Sequence, residues 1–130
     1  SDGASATETA LEMSFHYSGN SGRPAKTRFV TLQNGYPGDT VGALSVTANP
    51  HYREPFEPLI PGVTFVAPGD VAALEAAVTD KTAAIISLFG SNPFLLFAIR
   101  SRNICYDAAD FIWCRLESDR YHLSSLIIST

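Results

Sequence analysis

The order of apolar and polar segments predicts an α/β domain with a parallel sheet and crossover helices. Over residues 1–88, segments with helical spacing alternate with β-branched or aromatic runs, in the order helix, strand, helix, strand, helix, strand. The candidate strands are 28–33, 63–67 and 82–88, and the last is apolar enough to be buried on both faces. Such alternation is typical of parallel strands joined by helices. The length of 130 residues favours one domain with a moderate core.

The first predicted helix covers residues 3–17, where apolar side chains recur mostly at helical spacing. Asp2 and Ser5 are both candidate N-caps. Glu8 follows Ser5 by three residues, the spacing of a capping box. A loop rich in Gly and Ser then ends the helix.

Two shorter helices complete the alternation. The second begins at Asp39 or Thr40, either of which can cap it, and runs to about Val46. The third follows Asp70 as its cap. Residues 49–62 contain four prolines, which predicts an extended and irregular connection.

The character of the sequence changes after Leu88. Residues 104–116 have the pattern of an amphipathic helix, and residues 121–129 that of a terminal strand. We therefore divide the chain into an α/β segment, residues 1–88, and a C-terminal extension, residues 89–130, which we expect to pack on the same domain.

Composition and charge exclude several functions. The formal net charge is -4, with no basic stripe, so a nucleic-acid partner is not expected. The most apolar stretch, residues 85–99, is too short and too interrupted to span a membrane. Cys105 and Cys114 match no zinc or redox spacing and form no disulfide framework, which favours a cytoplasmic protein. The chain opens without Met or a signal-peptide pattern, and we expect it to start within a domain.

Three segments carry a family resemblance. They are residues 1–13 (SDGASATETALEM), residues 26–46 (KTRFVTL, then NGYPGDTVGALSV from Asn34) and residues 56–86. In this order and spacing they resemble the class III pyridoxal-phosphate aminotransferases, particularly the diaminopelargonic acid branch and its ω-transaminase relatives. The resemblance covers about residues 1–86. It implies part of the three-layer large domain of a fold-type I pyridoxal-phosphate enzyme, followed by an unrelated C-terminal tail.

Gly3, Ala4 and Ser5 lie where a small-residue loop enters a helix. Free amides, the helix dipole and a serine hydroxyl can together cradle a phosphate. Plain N-capping by Asp2 or Ser5 explains the same residues without a ligand. The resemblance implies that Gly3, Ala4 and Ser5 hold the phosphate of pyridoxal phosphate, and so that the partner is a small phosphate-bearing molecule.

Tyr36 follows a predicted strand and precedes a glycine turn, so its ring is expected at the carboxyl end of that strand. Ligands of open α/β sheets bind at this edge. An ordinary tyrosine packed on a turn is the alternative. The resemblance implies that Tyr36 stacks on the pyridine ring of the cofactor. Pro37 stands where the family usually has His, and it lacks an amide donor.

The family pattern stops at Ser87-Leu88, before the segments that supply the aspartate for the pyridine nitrogen and the Schiff-base lysine. Aminotransfer needs such a lysine. Lys26 and Lys81 are the only lysines, and we expect both to be solvated surface residues. The resemblance thus implies an aminotransferase origin without the catalytic groups, and whether the chain is an enzyme stays open.

Other reactive side chains form no predicted site. His16, His51 and His122 are far apart in sequence and suggest surface positions, so no metal site is expected. Asp107 and Asp110 have helical spacing, but capping and solvation explain them more simply than acid–base chemistry.

Three functions remain open at this point. The first is a truncated or rearranged class III aminotransferase that retains a phosphate or cofactor loop but cannot transaminate alone. The second is a non-catalytic interaction or structural protein, with an apolar patch at residues 94–99 as its partner surface. The third is an enzyme with a new activity. The tail is hypothesised to be a replacement sequence. The resemblance implies a homo-oligomer, because family members build the active site across a dimer.

Overall fold

The computed structural model describes the backbone of residues 3–89, 94–100 and 111–117, and the side chains of residues 3–86. Ten helical and strand elements follow one another in these ranges. They are α1 (Gly3–Asn20), β1 (Arg28–Leu32), α2 (Val41–Ser45), α3 (Pro50–Arg53), a 3-10 turn (Glu54–Phe56), β2 (Val63–Val66), α4 (Val71–Ala77), β3 (Thr82–Phe89), β4 (Phe94–Arg100) and β5 (Phe111–Glu117).

The five strands form one sheet in the order β2-β1-β3-β4-β5. β1 pairs parallel with β2 on one side and with β3 on the other, with Val30 opposite Thr64 and Ile85. β4 and β5 are added antiparallel. The parallel α/β arrangement predicted for the first two-thirds of the chain is therefore confirmed, and the complete described sheet is mixed.

Two apolar clusters lie on opposite faces of the sheet, because successive strand residues point in opposite directions. One cluster joins Phe29 and Ile86 to Ala10 and Leu11 of α1. The other joins Val30, Val66, Val78 and Ile85, and residues of α4 pack against it. Helix, sheet and helix thus form the three layers that the resemblance implies.

The first helix runs three residues beyond its predicted end, to Asn20. The predicted capping box is wrong, because Ser5 lies inside the helix and the carboxylate of Glu8 binds the amide of Gly42 instead. The other candidate cap, Asp2, lies outside the described residues. The predicted cap of α4 is confirmed, since the carboxylate of Asp70 accepts from the Ala73 amide at 2.9 Å.

The connection predicted to be irregular contains a short helix. α3 begins with Pro50 in its first turn, where a missing N–H costs nothing, and the Asn49 side chain accepts from the His51 amide at 3.0 Å. The prediction for residues 49–62 is therefore wrong over Pro50–Phe56 and agrees with the structure elsewhere.

The helix predicted at residues 104–116 is wrong from Phe111 onward, where the chain forms β5. β5 pairs with β4, a strand that the sequence did not predict. Residues 104–110 and the predicted strand at 121–129 lie outside the described residues. The apolar segment 94–99 falls within β4, and its side chains also lie outside them, so its use as a partner surface stays untested.

The two lysines differ in environment. Lys81 is exposed, as predicted. The surface position predicted for Lys26 is wrong, because only 3% of this residue is accessible. Its amide donates to the Arg23 carbonyl at 3.1 Å, which closes a turn before β1. His16 and His51 are exposed as predicted, and His122 lies outside the described residues. In the described ranges no helix has both the length and the apolar character needed to cross a membrane.

Candidate functional site

A cleft of about 470 Å³ lies beyond the carboxyl end of β1, between the first turn of α1 and the loop that leads into α2. It is lined by Gly3, Ala4, Tyr36, Pro37, Gly38, Asp39 and Thr40. Gly3, Ala4 and Tyr36, three of the four predicted site residues, therefore meet at one cleft. Ser5 is exposed in the first turn of α1 and is not among the lining residues.

Tyr36 forms one wall of this cleft and is 51% exposed. Its hydroxyl donates a hydrogen bond to the carboxylate of Asp39. That hydrogen bond is the main reason why the pKa of Tyr36 lies above its ordinary value of 10.0. The ring of Tyr52 packs against that of Tyr36 at 5.2 Å between centroids and 56° between planes. The hydroxyl and the ring of Tyr36 thus each contact a neighbouring side chain.

The loop backbone lies directly on the helix end because Gly38 has no side chain. Gly38 has φ of 130°, and a Cβ there would lie 2.4 Å from the Cβ of Ala4. Any larger residue would have to push the loop off the first turn of α1. Glycine at 38 and the small side chain at 4 therefore set the width of the cleft.

The second turn of α1 binds the same loop by two polar contacts. The hydroxyl of Thr7 lies 3.2 Å from the carbonyl of Pro37 and 2.8 Å from the carbonyl of Gly3, and Thr7 is fully buried. The carboxylate of Glu8 accepts from the Gly42 amide at 2.8 Å. Proline at 37 thus removes an amide donor, but its carbonyl takes part in holding the loop.

The groups at the cleft suit a small anion with a flat ring. The first amides of a helix have no partner within it, and the positive end of the helix dipole favours an anion there. The hydroxyls of Thr40 and Tyr36 add polar groups, and the phenol ring offers a flat face. The carboxylate of Asp39 opposes an anion, and none of the described lining residues is basic. Backbone amides would therefore provide the main attraction for a phosphate.

A second cleft, of about 560 Å³, is also lined by Tyr36. Carboxamide and aromatic side chains dominate it. Its lining residues are Gln33, Asn34, Gly35, Tyr36, Ala48, Asn49, Pro50, Tyr52 and Phe65. Tyr36 therefore lines both clefts.

Both lysines lie at the other end of the sheet. Lys26 precedes β1, Lys81 precedes β3, and these strands are parallel, whereas the cleft follows the end of β1. The five residues of β1 span roughly 16 Å at the usual rise of a strand. Neither ammonium group is therefore near Tyr36.

Sequence reasoning missed several residues of the cleft. The sequence predicts Asp39 and Thr40 as helix caps, although their position three and four residues after Tyr36 could have suggested a role in the cleft. Thr40 does occupy the N-cap of α2, but its side chain makes no capping hydrogen bond. The contact of Glu8 with Gly42 joins residues far apart in sequence, and no local pattern indicates it.

Comparisons with known proteins identify relatives of this chain. The acetylornithine aminotransferase of Methanopyrus kandleri is 42% identical over 84 residues, which cover 65% of this chain and 20% of that protein. The mitochondrial acetylornithine aminotransferase of Yarrowia lipolytica is 36% identical over 108 residues, covering 77% of this chain and 26% of that protein. This match is too long to fit within residues 1–89, so it extends into the C-terminal segment.

A solved structure gives the same result. An amine transaminase from an uncultivated Pseudomonas species, in a pyridoxal-phosphate-bound form, superimposes with a TM-score of 0.57 and 32% identity. The match covers 67% of this chain and 24% of that one. The chain thus spans about a fifth to a quarter of the length of the relatives it matches. Residues 1–89 match the family model for class-III aminotransferases, and the chain belongs to that family.

Proposed function

We propose that this chain is an aminotransferase-derived protein that retains the cofactor-phosphate site and does not transaminate by itself. In this proposal the backbone amides of Gly3, Ala4 and Ser5, at the start of α1, hold the phosphate of pyridoxal phosphate, and Tyr36 packs on the ring. The side chain of Ser5 lies outside the cleft and takes no part. The observation that carries the proposal is the single cleft that brings Gly3 and Ala4 together with Tyr36. Membership of the family supports the choice of cofactor.

The residues at the cleft fit this cofactor in size and chemistry. Residues 3, 4 and 38 carry at most a methyl side chain, so no bulky side chain fills the cleft beside the first turn of α1, and Tyr36 offers an aromatic face. Asp39 weakens the attraction for a phosphate, although Tyr36 occupies part of its hydrogen-bonding capacity. When bound, pyridoxal phosphate supplies an electron sink for carbanion chemistry. The chain's own contribution is to bind the phosphate and orient the ring.

The position of the lysines supports the absence of independent catalysis. A catalytic lysine must reach the reactive carbon of the cofactor. Lys26 and Lys81, the only lysines of the chain, lie at the amino ends of β1 and β3. We therefore propose that transamination needs groups that these 130 residues do not supply.

The proposal is tested by titrating the purified chain with pyridoxine 5′-phosphate. This analogue has the ring and the phosphate but no aldehyde, so it cannot react with surface amines. We expect saturable binding of the analogue, measured by calorimetry or intrinsic fluorescence, and we expect inorganic phosphate to displace it. Tyr36→Ala should weaken it about ten-fold, the loss expected for one aromatic contact.

Phe56→Ala is a matched control, because Phe56 is 59% exposed and lines neither cleft. It should bind the analogue as the wild type does. Absence of binding in a folded wild-type sample, or equal loss in both variants, would reject the cofactor site. The apolar segment of β4 would then become the region to test for a protein partner.

The C-terminal segment is proposed to be an extension packed on the same domain. The antiparallel pairing of β4 with β3 supports this, since it places the backbone of residues 94–100 in the common sheet. The match to the Yarrowia protein reaches into this segment, so part of it aligns with a complete aminotransferase. Sequencing the flanking DNA tests the replacement hypothesis. A conventional aminotransferase reading frame that continues without a break would overturn it.

A further inference from the structure

Helix α2 begins without a cap of its own. Its N-cap residue, Thr40, is extended and makes no side-chain capping hydrogen bond. The amide of Gly42, the second residue of the helix, has no partner within α2 because the first amides of any helix lack one. That amide is bound from another helix, by the carboxylate of Glu8 on α1 at 2.8 Å.

The shape of the contact matches this role. Gly42 is buried, and a Cβ there would lie 2.2 Å from the second carboxylate oxygen of Glu8 and 2.7 Å from its Cδ. Glycine at 42 therefore lets the carboxylate reach the amide. A negative group is also favoured at the start of a helix, where the dipole is positive.

This contact closes the segment that carries the cleft. The segment runs from Tyr36 to Gly42 and meets α1 at three points: Gly38 on Ala4, Pro37 at Thr7, and Gly42 at Glu8. Gly38 and Ala4 line the cleft, whereas Glu8 does not. A change at Glu8 can therefore move the cleft wall without removing any group that would touch a ligand.

We infer that Glu8 is a positioning residue, which holds the Tyr36–Thr40 loop against the start of α1 by capping α2 from outside. The inference rests on the proposed cofactor-phosphate site for its effect on binding. Its effect on the loop itself does not depend on any ligand.

The first arm of the test measures binding of pyridoxine 5′-phosphate by the full chain, at a temperature at which every variant is folded. Glu8→Ala should weaken binding about ten-fold, which corresponds to the loss of one capping interaction. Glu8→Gln should restore most of the affinity, since its amide oxygen can still accept from Gly42. Gly42→Ala should resemble Glu8→Ala. The exposed Glu12, one turn further along α1, provides the control Glu12→Ala, which should have no effect.

The second arm observes backbone amide resonances without ligand. In the wild type, the Gly42 amide should exchange slowly with solvent because it is bound by Glu8, and Glu8→Gln should keep most of this protection. In Glu8→Ala, the amides of residues 38–42 should shift and exchange faster with solvent. A general loss of stability would not confine these changes to the loop.

The two arms separate the two ideas. If the wild type binds no analogue but the loop amides respond to Glu8, the proposed function fails and the positioning role stands. If the wild type binds and Glu8→Ala leaves both the affinity and the loop amides unchanged, the positioning role is overturned. If Glu8→Ala does not fold, Glu8→Gln and Gly42→Ala decide by the same measurements.

Discussion

Tyr36 lines both clefts at the carboxyl end of β1, and its hydroxyl is bound by Asp39. A phenol that donates to a carboxylate resists ionisation, because a phenolate could no longer donate and would repel the carboxylate. While the phenol keeps its proton, its hydroxyl also occupies one hydrogen-bonding position of the Asp39 carboxylate. At this scale one hydrogen bond is the main reason why the phenol of Tyr36 resists ionisation.

Removal of this hydrogen bond should change the titration of Tyr36. In Asp39→Ala, the pKa of Tyr36 should fall toward its ordinary value of 10.0, since Asp39 is the main cause of the rise. Because the folded-state pKa is raised, the hydrogen bond stabilises the fold below pH 10, and this contribution is lost as the pH rises through the pKa of Tyr36. Alkaline titration of tyrosinate absorbance measures the change, with Tyr36→Phe identifying the signal.

Asp80→Ala serves as the control, because Asp80 is exposed at the far end of the sheet. Its tyrosinate curve should match that of the wild type. Asp39→Ala should also bind the phosphorylated analogue more tightly, since a negative charge leaves the cleft. A Tyr36 titration that is the same with and without Asp39 would contradict the assignment.

At the scale of elements, α4 depends strongly on its cap. It has only seven residues, and Ala73, Leu74 and Ala77 pack on the second apolar cluster. Isolated helices of this length are not stable in water. The hydrogen bond from the Ala73 amide to Asp70 therefore helps to keep α4 helical, so that it can pack over one face of the sheet.

Asp70→Ala should lower the free energy of unfolding by about 1 kcal/mol, the usual cost of losing an N-cap. Urea denaturation followed by circular dichroism measures it. Asp70→Ser should recover most of the loss, because its hydroxyl can accept the same hydrogen bond. If alanine and serine at this position destabilise equally, the cap is not the cause.

The elements that the sequence predicted well are those with strong local signals. β1, β2, β3 and α4 were all found within a few residues, because β-branched runs and a capping Asp mark them. β5 was predicted as helix, although Phe111-Ile112-Trp113 is a run of residues that favour strands. A short apolar run fits either structure, and its pairing with β4 decides between them.

The candidate site was predicted only in part for a related reason. Gly3, Ala4 and Tyr36, at a helix start and a strand end, do line one cleft, and their binding role stays a prediction. The capping of α2 by Glu8 and the burial of Lys26 both depend on how distant segments pack. No local pattern carries that information.

At the scale of the whole molecule, the edges of the sheet bear on whether copies of the chain associate. In the described sheet, β2 and β5 are the edge strands. An edge strand presents unpaired amide and carbonyl groups, which favour association with another chain. This supports the homo-oligomer that the family resemblance implies.

We expect the purified chain to self-associate with rising concentration, as measured by light scattering after size-exclusion chromatography. Thr64→Lys should reduce the association, since Thr64 is exposed on β2 and a charge on an edge strand discourages pairing. Ala72→Lys, an exposed position on α4, should not. A chain that stays monomeric at every concentration would exclude the oligomer.

The antiparallel addition of β4 restricts how this domain could be rebuilt from pieces. β4 takes the backbone hydrogen bonds on the outer side of β3, from Ala84 to Phe89. A separate polypeptide carrying further parallel strands could not dock beside β3 until β4 had left. Fragment complementation with the remainder of an aminotransferase would therefore begin with a strand exchange, and its rate would report how tightly β4 is held.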